Sequence, residues 1–120
     1  MKKKILVVED DSGARSLLVK LLTENGYDVI EADHGKAAAK LLQDGLNPCV
    51  ILTDWVMPGN GADLIKYLRA CDVLVLIPIV ITTGTPELTN TIELHGIKVL
   101  KKPIVDEMIL AIVSQYCGAN

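Results

Sequence analysis

Five short apolar runs, rich in β-branched residues, recur along this chain with segments of helical period between them: Ile5-Leu6-Val7-Val8, Val29-Ile30, Cys49-Val50-Ile51-Leu52, Ile79-Val80-Ile81 and Ile97 to Leu100. Successive side chains of a strand point to opposite faces, so a run that is apolar without alternation must be covered on both sides. That pattern predicts a parallel sheet between two layers of helix. The alternation β-α, repeated five times, requires right-handed crossovers and gives a doubly wound α/β sandwich. Ligands of such folds collect at the carboxyl ends of the strands. The residues that end the strands are therefore the ones to read for chemistry.

The intervening segments carry the helical signal. Ala14, Leu17, Leu18, Leu21 and Leu22 fall on one stripe, with Ser12 as the expected N-cap and Gly26 just past the end. Ala38, Leu41 and Leu42 form a shorter stripe closed by Gly45. Leu64, Ile65 and Leu68 follow the Gly59-Asn60-Gly61 turn, and Val105, Met108, Ile109, Ile112 and Tyr116 mark a last helix after Pro103. Between Thr85 and His95 a weaker helix is expected, since Thr and Asn residues occupy its body.

Composition removes several classes of function. The chain has 120 residues, half of them apolar, which suits one domain spanning residues 1–120 with a core that needs no metal or disulfide to fold. Twelve basic against fifteen acidic residues, with four aromatics (Tyr27, Trp55, Tyr67 and Tyr116), argue against a nucleic-acid surface. Cys49, Cys71 and Cys117 are odd in number and widely spaced, so neither a disulfide framework nor a zinc cluster is expected, and they read as packing residues. The basic start Met1 to Lys4 precedes only four apolar residues, too few for a signal peptide. No apolar stretch approaches the roughly 20 residues that span a bilayer. A soluble protein of the reducing cytoplasm is the expectation.

Strand 1 ends in Glu9-Asp10-Asp11, strand 3 in Asp54, strand 4 in Thr82-Thr83-Gly84 and strand 5 in Lys101-Lys102-Pro103. If strands 1, 3, 4 and 5 lie side by side, carboxylates, a hydroxyl and an ammonium converge at one edge. Carboxylates about 4 Å apart repel by roughly 4 kcal/mol per pair at an effective dielectric near 20, so such a cluster protonates, separates or binds a cation. Mg2+ suits it, because that ion takes one or two carboxylates and fills its shell with water and phosphoryl oxygens. The lysine and threonine suit the remaining phosphoryl oxygens. The implied chemistry is phosphoryl transfer onto a carboxylate, with Asp54 as nucleophile and Asp10 as metal ligand. Asp11 reads as a helix-start acid, Lys101 as a solvated lysine, and His34 and His95 as surface residues.

Taken together, Glu9-Asp10-Asp11 followed by Arg15, Leu52-Thr53-Asp54-Trp55-Val56-Met57-Pro58, Pro78 to Gly84, and Lys102-Pro103 resemble the receiver domain of response regulators, the phosphoacceptor module of bacterial two-component signalling. The resemblance covers essentially the whole chain and implies strand order 2-1-3-4-5. It implies that Asp54 accepts a phosphoryl group from a phosphohistidine of a sensor histidine kinase or phosphotransfer protein. It further implies that Asp10 binds Mg2+ directly, Glu9 through water, and the Val56 carbonyl as a further ligand. Thr83 becomes the hydroxyl that moves toward the phosphoryl group, Lys102 the cation, and the Lys102-Pro103 peptide cis. In this reading the protein is no turnover enzyme; it assists its own phosphorylation and dephosphorylation, and signals to a downstream protein.

The chain departs from that family pattern in three places. The loop Met57-Pro58-Gly59-Asn60-Gly61 is one residue short, Val99 stands where an aromatic is usual, and the fourth helix lacks about one turn. Coupling of a threonine shift to an aromatic rotation therefore cannot operate. Val73-Leu74-Val75-Leu76 reads as a strand extended backwards from Pro78, the alternative being an apolar patch used in a weak homodimer. Competing functions are a small-substrate phosphotransferase, which calls for an acid where Val56 stands, and a nucleotide-binding module, for which no glycine-rich phosphate loop follows strand 1. A receiver-like interaction domain that is never phosphorylated is the principal alternative. The domain is expected to act as a single-domain regulator, as a phosphorelay intermediate passing phosphate to another histidine protein, or as a fragment of a larger kinase or regulator, and Met1 as a free start favours the natural single domain.

Overall fold

A computed structural model of the chain describes residues 3–54, 77–84 and 97–118. Its five strands, β1 (Lys4–Val8), β2 (Asp28–Ala32), β3 (Val50–Asp54), β4 (Ile79–Thr83) and β5 (Ile97–Lys101), pair in parallel in the order β2-β1-β3-β4-β5. Both the predicted strands and the 2-1-3-4-5 order are present. The helices among the described residues are α1 (Ser12–Glu24), α2 (Gly35–Gln43) and α3 (Asp106–Cys117). The helices predicted around Leu64 to Leu68 and between Thr85 and His95, and the Val73-Leu76 segment, lie outside the described residues.

Period-two geometry explains the continuous apolar runs. Leu6, Val8, Ile51, Ile79 and Ile81 pack on one face with Ala38 and Leu42 of α2. Ile5, Val7, Val50, Leu52 and Val80 pack on the other with Leu22 of α1 and Ile109, Ile112 and Val113 of α3. A slip of one residue in any of these strands would exchange its two faces, so the double cover also holds the register. That register brings Asp54 level with Thr82, and Thr83 level with Lys101.

The helix ends differ from expectation in instructive ways. Asp11, not Ser12, caps α1: its Oδ2 accepts a 2.7 Å hydrogen bond from the Ala14 amide. The carboxylate completes the same bond a serine would make and adds favourable charge at the helix start. His34 caps α2, its Nδ1 accepting from the Ala37 amide at 3.0 Å, a role that its sequence context does not announce. Gly26 and Gly45 follow the helix ends with φ of 91° and 108°, where a side chain would be strained.

Two predicted stripes are only partly buried. Leu22 is buried and Leu18 and Leu21 pack against the core, but Leu17 is 72% exposed, because the apolar arc of α1 is wider than its footprint on the sheet. At the last helix, Val105, which precedes α3 as its N-cap residue, and Met108 lie on the surface, while Val113 and Cys117 take the buried places. The expectation of unpaired cysteines also fails. Cys49 and Cys117 are joined as a disulfide, with Cα atoms 5.3 Å apart, because the topology sets the start of β3 beside the end of α3 across 68 residues of sequence. Cys71 lies outside the described residues. The Lys102-Pro103 peptide is cis, as the resemblance implied.

Candidate functional site

Three strands end at one place. Glu9 follows β1, and its amide donates to the Ala32 carbonyl of β2 at 3.0 Å, so the strand pairing continues one residue beyond the sheet and fixes where the acidic turn begins. Asp54 is the last residue of β3. The Lys102 amide donates to the Thr83 carbonyl at 2.8 Å, which ties the turn after β5 to the end of β4. Backbone pairing, which is stiff, thus aims the side chains.

Carboxylate oxygens of Glu9, Asp10 and Asp54 lie within 4.8 Å of one another. Across from them the Lys102 Nζ stands 3.3 Å from Asp54 Oδ2 and 3.5 Å from Glu9 Oε1. Burial grades across the group: Glu9 is buried, Asp54 half-buried and Asp10 exposed, so the pocket opens to solvent on the Asp10 side. Among the described residues the acid cluster holds three carboxylates and Lys102 brings one ammonium to it, and a divalent cation suits the excess of negative charge.

The strain of that imbalance falls on Glu9. Its carboxyl is raised from 4.5 to about 7, first by burial, then by its proton-sharing contact with Asp54 and the Asp54 charge; Lys102 opposes the rise. Glu9 Oε2 is buried and has no hydrogen-bond partner among the described residues. A buried carboxylate oxygen without a donor calls for a proton or a cation. The oxygen-only donor set and this orphaned atom together fit a hard ion such as Mg2+.

Arg15 supports the turn from behind. Its guanidinium donates to the Glu9 carbonyl at 2.7 Å and to Glu31 Oε1 at 3.2 Å, bridging the ends of β1 and β2. In the sequence Arg15 stands only as the residue that follows the acids, and no motif announces this contact. Truncation as Arg15→Ala is expected to leave the fold intact and lower Mg2+ affinity roughly tenfold, because the carbonyl that orients Glu9 and Asp10 loses its clamp. Calorimetric Mg2+ titration beside a thermal melt checks this, and unaltered affinity would count against it.

Of the other predicted site residues, Thr83 is buried, 1% exposed, one residue beyond the level of Asp54. Thr82, beside it, lines the cavity that contains Glu9 and Lys102. Val56 lies outside the described residues. Asp11 is spent as the cap of α1, in keeping with its reading as a helix-start acid. Val99 packs half-buried against the α2-side core.

The chain is similar to known proteins in sequence and fold. A family model described as the response regulator receiver domain matches residues 5–114. The chemotaxis protein CheY1 of Helicobacter pylori strain J99 is 34% identical, with 98% of each chain covered. Among solved structures, the chemotaxis response regulator CheY4 of Vibrio cholerae superposes with a TM-score of 0.85 at 27% identity, covering 97% of this chain and 99% of that one. The receiver domain of the Pseudomonas aeruginosa PAO1 sensor histidine kinase PA1611, described with a magnesium ion coordinated in its active site cleft, shares the fold with a TM-score of 0.83 at 23% identity, covering 99% and 100%. With its acids at the ends of β1 and β3, its lysine after β5 and the family match over most of its length, this chain belongs to the response regulator receiver domains.

Proposed function

We propose that the domain accepts a phosphoryl group from the phosphohistidine of a sensor histidine kinase or phosphotransfer protein onto Asp54, and in that state signals to a downstream protein. The observation that carries this reading is the Lys102 ammonium 3.3 Å from Asp54, opposite acids whose oxygens lie within 4.8 Å. Asp54 Oδ attacks phosphorus as the phosphorus–nitrogen bond to the donor imidazole breaks, and the imidazole leaves with the electron pair. Lys102 holds the phosphoryl oxygens by charge, and the Thr83 hydroxyl donates to them.

Glu9, Asp10 and Asp54, with the Val56 carbonyl, would hold Mg2+. When bound, the ion supplies neutralising charge for the phosphoryl oxygens and the carboxylate. The magnesium in the PA1611 receiver domain supports this assignment. The domain is modified stoichiometrically and turns over no small substrate. Apolar surface continuous with the pocket suits a protein donor: a cavity of about 550 Å³ runs from Glu9 and Lys102 between Leu17, Leu18 and Leu21 of α1 and Ile104 and Ile109.

Incubation with a small phosphodonor and Mg2+ is expected to add one phosphoryl group, stable in acid, labile in base and mapped to Asp54 by peptide mass. An intact mass without adduct would overturn the reading and leave a receiver-like interaction domain.

A further inference from the structure

The disulfide closes a ring through the pocket. From Cys49 the chain runs along β3 to Asp54; Asp54 meets Lys102 by an ion pair; from Lys102 it runs through α3 to Cys117; and Cys117 returns to Cys49 through sulfur. Three of the four links lie in backbone or covalent bonds, and the fourth is the contact on which phosphoryl transfer depends. The far end of this ring is anchored. The Cys49 amide donates to the Lys4 carbonyl at 2.9 Å, and the Tyr27 hydroxyl donates to the Gly118 carbonyl at 2.9 Å, just past α3.

The two sulfurs are unequal. Cys117 is buried at 5% exposure, whereas Cys49 is partly exposed at the head of β3. A thiol or disulfide from solution therefore reaches Cys49 first. We propose that Cys49 and Cys117 form a reversible clip, through which the surrounding thiol–disulfide balance sets how firmly the Lys102 to Cys117 segment is held over Asp54.

The exchange needs only a low-molecular-weight disulfide such as oxidised glutathione. The Cys49 thiolate attacks one of its sulfurs, and one glutathione leaves as thiolate. The Cys117 thiolate then attacks the Cys49 sulfur of the mixed disulfide, and the second glutathione leaves. Two protein thiols and one small disulfide become one protein disulfide and two small thiols, with both protons passing to the released thiolates. Closing a loop of 68 residues removes much of the freedom of the unfolded chain, so the bonded form is the more stable one.

The experiment equilibrates the full chain in a series of reduced to oxidised glutathione ratios, traps free thiols by acid quench and alkylation, and maps the peptides. The expected result is a Cys49–Cys117 peptide pair that disappears in one reversible transition, and a glutathione adduct on Cys49 that accumulates in Cys117→Ser. Reduction is expected to lower the melting temperature on the order of 10 °C. It is also expected to speed hydrogen exchange of α3 amides at least tenfold while leaving α2 unchanged. Full alkylation of both cysteines in oxidised glutathione, or α3 exchange that ignores the redox state, would overturn the clip.

The link to Asp54 rests on the proposed phosphoacceptor function and has its own readout. Adduct formation from a small phosphodonor should run several-fold slower in the reduced form, and Cys49→Ser should match the reduced protein under all conditions. A clip that titrates normally beside equal rates would refute the coupling. A clip that titrates beside no adduct in either form would refute the phosphoacceptor reading and uphold the clip.

Discussion

Replacing Lys102 by alanine is expected to slow phosphoryl transfer to Asp54 by roughly 10²–10³-fold while Mg2+ binds as well as before or better. The two effects have opposite signs for one reason. The ammonium lies 3.3 Å from Asp54 and 3.5 Å from Glu9, where it neutralises the acids and repels a cation approaching the same oxygens. Its removal makes the acid group more attractive to Mg2+. During transfer, however, charge spreads over the phosphoryl oxygens, and one fixed positive partner has gone. With 40% of its side chain exposed, Lys102 is screened in the resting protein, so loss of its ion pairs should cost the fold about 1 kcal/mol or less. Quench-flow mass measurement of the adduct, paired with calorimetric Mg2+ titration, separates the effects. Parallel losses in rate and Mg2+ affinity would mean that the pocket collapsed, and the electrostatic account of Lys102 would be wrong.

What could be read from residue order alone divides along physical lines. The strands were legible because Ile5 to Val8 and Val50 to Leu52 are short, β-branched runs buried on both faces, as a covered parallel strand requires. The convergence of Asp10, Asp54 and Lys102 followed from strand ends alone once the strands were placed. Choosing among Glu9, Asp10 and Asp11 was harder, since three consecutive acids look alike; the distinguishing facts are the burial of Glu9 and the bond from Asp11 to the Ala14 amide, both tertiary or conformational. The His34 cap escaped notice because histidine is uncommon in that role. Buried Val113 was missed in favour of exposed Val105 and Met108, because helical periodicity leaves open which part of a wide apolar arc meets the sheet. The Cys49–Cys117 bond was invisible for a different reason: it depends on where two distant chain segments end, which only the assembled topology decides.

The buried acid makes stability depend on pH in an unusual direction for a carboxylate. With Glu9 raised from 4.5 to about 7 in the folded protein, both folded and unfolded chains carry its proton below pH 4.5. Between pH 4.5 and 7 the unfolded chain releases that proton while the folded chain keeps it, so stability falls as pH rises, and above 7 the loss is complete. A displacement of that size corresponds to about 3 kcal/mol. In metal-free buffer the melting temperature should therefore drop by several degrees between pH 5 and pH 8. Saturating Mg2+ should abolish most of that drop, because the ionised carboxylates then have a cation in place of the proton. The same linkage requires Mg2+ binding to expel part of a proton near neutral pH and progressively less as pH rises, which calorimetry in buffers of different ionisation enthalpy measures directly. Glu9→Gln removes the titrating group while keeping its shape, so it should flatten the metal-free profile and end the proton release. A slope that survives in Glu9→Gln would assign the effect to another acid and remove Glu9 from the centre of the pocket's electrostatics.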